Sequence, residues 1–64
     1  MEHTQRPLTA RQAFARGYRA RDTYQYSGTP QAPAQRVVAA GLESEWAAGY
    51  RQRSLEIDTR GAAR

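Results

Sequence analysis

Arginine is the residue type in this sequence best suited to a chemical task, and it is unevenly placed. All ten basic residues are arginine, against six acids, for a net charge of +4. Residues 1–21 hold five of the arginines and one acid, Glu2. A planar guanidinium can bind two phosphate oxygens at once, so such a cluster indicates binding to a polyanion such as RNA. The candidate RNA contacts are Arg11, Arg16, Arg19 and Arg21.

A solvated charged face is the competing interpretation of these arginines. The choice of arginine over lysine carries little weight, because a GC-rich coding sequence produces the same bias. The placement of the charge is the informative observation, since residues 22–64 carry five arginines and five acids and are neutral overall.

The sequence contains no residue pattern that predicts catalysis, metal binding or a disulfide. There is no cysteine, and the single histidine is His3, so we expect no disulfide, metal site or cofactor. The serines have no plausible histidine or lysine base. Glu43 and Glu45 are two residues apart and fall on different faces of a helix. No glycine-rich phosphate loop is present. We therefore predict a binding protein rather than an enzyme.

The N-terminal residues lack the apolar run of a signal peptide, and no window approaches the ~20 apolar residues that cross a bilayer. We therefore expect a cytoplasmic protein without membrane contact. Only twelve apolar and aromatic side chains within residues 8–57 could form a core, which predicts a small one. A homodimer, or a chain that folds against a larger partner, is thus an alternative to a monomer.

Local signals predict a first helix over residues 10–22. Residues 1–7 are mostly polar and without period, and residues 1–8 are expected to form a flexible arm. Thr9 and Gln12 have the spacing of a capping box, which marks the start of the helix. The Ser-Gly and proline residues that follow Thr23 favour a connector over 23–33.

The remaining sequence favours a second helix over residues 34–58. Gly41 leaves two alternatives, a single long helix or a short helix followed by a longer one. We prefer a break or kink at Gly41, because glycine is unfavourable inside a helix. Residues 59–64 are expected to form a frayed tail.

An internal repeat relates the two helices at an offset of 32 residues. Residues 14–21 and 46–53 share the pattern aromatic-Ala-x-Gly-Tyr-Arg-x-Arg, with five of eight positions identical. The aromatic and the tyrosine share a helix face beside the glycine, which would let a neighbouring backbone approach closely. The repeat predicts an all-α, pseudo-symmetric two-helix hairpin. Its predicted core residues are Phe14, Gly17, Tyr18, Leu42, Trp46, Gly49 and Tyr50, and packing alone would explain this stripe.

The sequence also resembles the ribosome modulation factor family over about residues 10–53. Two motifs carry the resemblance, Arg16-Gly17-Tyr18 on the first helix and Ser44-x-Trp46-x-x-Gly49-Tyr50-Arg51 on the second. Members of the family are short, basic, two-helix proteins that bind the small ribosomal subunit near the 3′ end of its RNA and promote ribosome hibernation. The resemblance implies a helical fold and the ribosome or its RNA as partner.

The chain departs from this family around its loop. The Cys-Pro-Tyr that precedes the second helix in the family is absent, Glu43 replaces an arginine, and the connector is longer. Three functional hypotheses follow. The first is a ribosome or rRNA binder that modulates translation. The second is a phage- or plasmid-type interaction module or inhibitor that binds a protein partner through Tyr24 and Tyr26. The third is a structural subunit stable only as an oligomer.

Overall fold

The chain folds into two long helices and one short helix. The structure, a computed structural model, describes residues 7–62, and over this range it is helical without strands. The elements are α1 (Ala10–Ser27), α2 (Gln35–Ala39) and α3 (Glu43–Ala62). α1 packs along α3, and α2 contacts α3. The predictions of an all-α fold, a paired set of long helices and a short extra helix are confirmed. Within this range no helix is both long and apolar enough to cross a membrane.

The predicted capping box begins α1. The Thr9 hydroxyl accepts a hydrogen bond from the backbone N–H of Gln12 at 3.1 Å, and the Gln12 side chain accepts one from the backbone N–H of Thr9 at 2.9 Å. Leu8, which precedes the cap, is buried in the core, so the predicted arm over 1–8 is wrong at that residue. Residues 1–6 of that arm lie outside the described residues.

α1 continues five residues beyond its predicted end at 22, so the segment that carries both connector tyrosines is helical. Asp22 does not compete with the helix backbone, because its carboxylate accepts a hydrogen bond from Arg53 on α3. The Thr23 hydroxyl donates to the carbonyl of Arg19, one turn earlier, at 3.1 Å. The helix ends instead at Gly28, whose φ of 72° is the left-handed conformation that glycine adopts most readily.

Gly41 breaks the second helical segment, which confirms the preferred alternative. Its φ is 69°, and its N–H donates to the carbonyl of Val38 at 3.0 Å. α3 then starts afresh, with the N–H of Trp46 donating to the carbonyl of Leu42. α3 runs to Ala62, so the predicted frayed tail is wrong over 59–62; residues 63–64 lie outside the described range.

The two long helices run in the same direction. Gly49 of α3 lies against the backbone of Tyr18, and one turn further along both helices Arg53 bonds to Asp22. The fifteen residues between α1 and α3 carry the chain back to the start of α1. The helix pairing predicted as a hairpin is therefore present, but it is parallel, as a long connection allows, rather than antiparallel as a tight loop would require.

Two glycines lie where α1 and α3 touch. A Cβ atom built on Gly17 would overlap the backbone carbonyl of Trp46, and a Cβ atom on Gly49 would overlap the backbone carbonyl of Phe14. The two contacts correspond under the repeat, because Gly49 lies 32 residues after Gly17 and Trp46 lies 32 residues after Phe14. The repeat therefore predicted the close backbone approach at both glycines.

The side chains around this contact are less symmetrical than the repeat suggests. The buried core is formed by Leu8, Ala13, Val37 and Trp46. Trp46 is 8% exposed because Val37 of α2 and Leu8 pack with it, whereas Phe14, its counterpart in the repeat, is 39% exposed. The prediction of Phe14 as a core residue is therefore wrong, and the two halves pack differently at this position.

The other predicted core residues lie at the contact or beside it. Trp46 and Tyr50 stack, with ring centroids 5.3 Å apart. Both glycines are buried, and three predicted core residues are half-buried: Tyr18, Leu42 and Tyr50.

Replacement of Gly17 or Gly49 by valine should destabilise the fold by about 1–3 kcal/mol, because the new side chain meets backbone, which cannot rotate away. Ala15→Val is the matched control. It places the same residue on an exposed position of α1 and should cost no more than its helix propensity, under about 0.7 kcal/mol. Urea unfolding followed by far-UV circular dichroism measures both. Equal midpoints for Gly17→Val, Gly49→Val and the control would contradict the close approach.

Candidate nucleic-acid interface

Three of the predicted RNA contacts form one exposed surface of α1, here called the basic face: Arg11, Arg16 and Arg19. At 100° per residue Arg19 lies about 160° around the helix from Gly17, which marks the side packed on α3, whereas Arg11 lies about 120° around in one direction and Arg16 about 100° around in the other. None of the three side chains makes a hydrogen bond or ion pair with another residue in the described part of the chain. Arg19 thus lies on the side of α1 away from α3, and Arg16 lies on its flank.

The basic face is also electrostatically unopposed. α1 carries four arginines and one acid, Asp22, and that carboxylate is bound to Arg53. The first turn of α1 holds no acidic residue. α3, in contrast, carries three arginines and four acids, two of them in its first turn. Positive charge is therefore concentrated on α1, as the sequence indicated.

Arg21 differs from the other three candidates. Its Nε donates to the hydroxyl of Ser54 on α3 at 2.9 Å, and another guanidinium nitrogen donates to Gln25 at 3.0 Å. The same guanidinium lies over the ring of Tyr24, 5.1 Å from the centroid. These contacts occupy Arg21 in helix packing, so the structure separates it from the basic face.

The two tyrosines predicted to contact a partner are also separated. Tyr24 is half-buried beneath Arg21. Tyr26 is 91% exposed and lies about 180° around α1 from Gly17, on the same side as Arg19. Only Tyr26 is therefore available as an aromatic contact beside the basic face.

A cluster of polar side chains joins α1 to α3, here called the interhelical cluster: Tyr18, Asp22, Arg53 and Glu56. Arg53, with its side chain 17% exposed, donates to Asp22 at 2.7 Å and to Glu56 at 3.1 Å. The Tyr18 hydroxyl donates to the same Glu56 carboxylate. The Arg53 guanidinium also lies over the Tyr18 ring, 5.3 Å from its centroid. Each polar group of the cluster thus has a partner of complementary charge or hydrogen-bonding type.

The interhelical cluster shifts the pKa values of its members. The hydrogen bond from Tyr18 lowers the pKa of Glu56, with help from Gln52 and Arg53. The same hydrogen bond, together with burial, raises the pKa of the Tyr18 hydroxyl, because a phenolate beside a carboxylate is unfavourable. The hydrogen bond to Asp22 raises the pKa of Arg53, which stays charged. The folded state therefore favours a carboxylate at 56 and a neutral phenol at 18.

Sequence analysis missed the cross-helix partners of Arg21 and Arg53. The bond from Arg53 to Asp22 joins residues 31 positions apart, and the Arg21–Ser54 bond joins residues 33 apart. Both separations are close to the repeat offset of 32. If the two helices are paired in parallel, with each residue of α1 beside the residue 32 positions later on α3, both of these bonds are predicted.

No group of three or more His, Cys, Asp or Glu side chains within residues 7–62 could hold a metal ion. Comparison of the chain with protein-family models, curated proteins and solved structures found no match. The features that bear on function are therefore the basic face and the interhelical cluster, which holds α1 against α3.

Acidification should remove the contribution of Glu56 to stability. A carboxyl whose pKa is lowered on folding stabilises the protein above its unfolded pKa of about 4.3, and this stability is lost as the pH falls through the folded value. The parent should therefore unfold at higher urea than Glu56→Gln at neutral pH. The two midpoints should converge as the pH falls through the lowered pKa of Glu56.

Asp58→Asn is the control for this experiment, because Asp58 is exposed on the same helix and has no partner within residues 7–62. At neutral pH, where the parent and Glu56→Gln are expected to differ, its midpoint should match that of the parent. A difference between parent and Glu56→Gln that persists unchanged through the acid range would contradict the role of the carboxylate.

Proposed function

We propose that the protein binds ribosomal RNA, and through it the ribosome, and so modulates translation in the cytoplasm. The observation that carries this proposal is the basic face, three exposed arginines on one helix without partners among the described residues. Guanidinium groups so placed can each reach a phosphate without breaking an internal contact.

The basic face carries a cost that RNA binding would offset. Arg16 and Arg19 are three residues apart, a spacing at which like charges destabilise a helix by about 0.2–0.5 kcal/mol. Arg11 lies in the first turn, where the helix dipole disfavours a positive charge. A phosphate backbone would relieve both repulsions. These charges are therefore easier to explain as ligand contacts than as stabilising surface residues.

The resemblance to ribosome modulation factors adds support of a different kind. Gly17, Trp46 and Gly49 of the two shared motifs form the helix contact, so the motifs bear mainly on the scaffold. Arg16 is the exposed member of the first motif and part of the basic face. The proposed RNA contacts are thus attached to the same scaffold that the motifs specify.

Arg16→Ala combined with Arg19→Ala should weaken co-sedimentation with ribosomes. Each lost phosphate contact should also flatten the plot of log affinity against log salt by about 1. The matched control is Arg51→Ala with Arg60→Ala, which removes the same charge from equally exposed arginines of α3. The control should retain most of the affinity and the full salt slope. Circular dichroism checks that both double variants stay folded.

Two outcomes would contradict the proposal. If both double variants lose affinity equally, net charge rather than the basic face drives association. If neither double variant loses affinity at any salt concentration, while Tyr26→Ala abolishes capture of the partner, the alternative of a protein-interaction module gains support.

A further inference from the structure

Tyr26 is an aromatic side chain without a packing role in the described structure. It is 91% exposed, the highest value among the exposed large hydrophobic side chains, although it lies within the regular helix α1. It is seven residues, about 10 Å, beyond Arg19 and only about 20° away around the helix. Its ring therefore extends the basic face toward the C-terminal end of α1.

That end of α1 offers little to a phosphate. The last turn contains no basic residue, and the helix C-terminus carries partial negative charge. Arg21, the nearest arginine in sequence after the basic face, is held by Ser54 and Gln25. Along α1 the surface thus changes from cationic at Arg11 to aromatic and uncharged at Tyr26.

We propose that the basic face and Tyr26 together form a site for single-stranded RNA, in which the arginines contact phosphates and an unpaired base stacks on Tyr26. This inference rests on the proposed function and specifies its substrate class. Any base has a face that can stack on a tyrosine ring. The site therefore distinguishes unpaired from paired RNA and does not recognise a particular sequence. From Arg11 to Tyr26 it is about 22 Å long, the length of a short stretch of nucleotides.

Duplex RNA fits this surface less well. Its bases are stacked within the helix, and it presents phosphates and 2′-hydroxyl groups to a protein. The arginines would contact duplex phosphates, but the Tyr26 ring would find no free base. Charge complementarity accounts for binding to either form, and Tyr26 accounts for the preference between them.

The test compares one labelled RNA strand of about 12 nucleotides, chosen not to self-pair, with the same strand annealed to its complement. Fluorescence anisotropy measures binding of the full chain to each at several salt concentrations. Tyr26→Ala should weaken single-strand binding about tenfold and leave duplex binding within about twofold. Its salt slope should equal that of the parent, because no phosphate contact is lost.

Two further variants test whether the ring stacks. Tyr26→Phe keeps the ring and should bind single strands like the parent, whereas Tyr26→Leu keeps only apolar area and should behave like Tyr26→Ala. A parent that binds duplex as tightly as single strand, a Tyr26→Ala variant with unchanged single-strand affinity, or a Tyr26→Leu variant as good as Tyr26→Phe would each overturn the inference. Failure of the parent to bind either RNA at low salt would reject the proposed function itself, and this inference with it.

Discussion

The backbone contact between α1 and α3 is the constraint on which the rest of the structure depends. At Gly17 and Gly49 a hydrogen stands where any other residue would place a Cβ atom, and each glycine faces a carbonyl of the opposite helix. This geometry is typical of weak Cα–H···O contacts between closely packed helices. It brings the axes together, so small residues line the contact and large side chains pack at its edges.

The same contact sorts the arginines into two groups. With the helices parallel and close, Arg21 and Arg53 reach across to Ser54 and Asp22 and are held there. The arginines on the opposite side of α1 have no helix to reach. A short chain with a small core thus uses some of its arginines to hold two helices together and leaves the remainder of α1 cationic.

The sequence predicted those features that depend on local signals. The capping box at Thr9, the break at Gly41 and the glycine contacts each follow from residue types within a few positions or from the repeat. The end of α1 was mispredicted because Asp22 is stabilised from α3, a contact 31 residues away. The exposure of Phe14 was not predicted, because Val37 of α2 packs with Trp46 in the second copy of the repeat and not with Phe14 in the first. Both errors arise where tertiary contacts outweigh local preference.

The parallel arrangement also separates the loop from the candidate RNA surface. The connector between α1 and α3 returns the chain to the start of α1, and Val37 within it is fully buried against Trp46. Within the basic face, Arg19 lies on the far side of α1 from α3, and Arg11 and Arg16 lie on the two flanks. The departures of this chain from the ribosome modulation factor pattern fall in the connector and at Glu43, the first residue of α3. They therefore do not involve Arg11, Arg16 or Arg19, the residues on which RNA binding is proposed to depend.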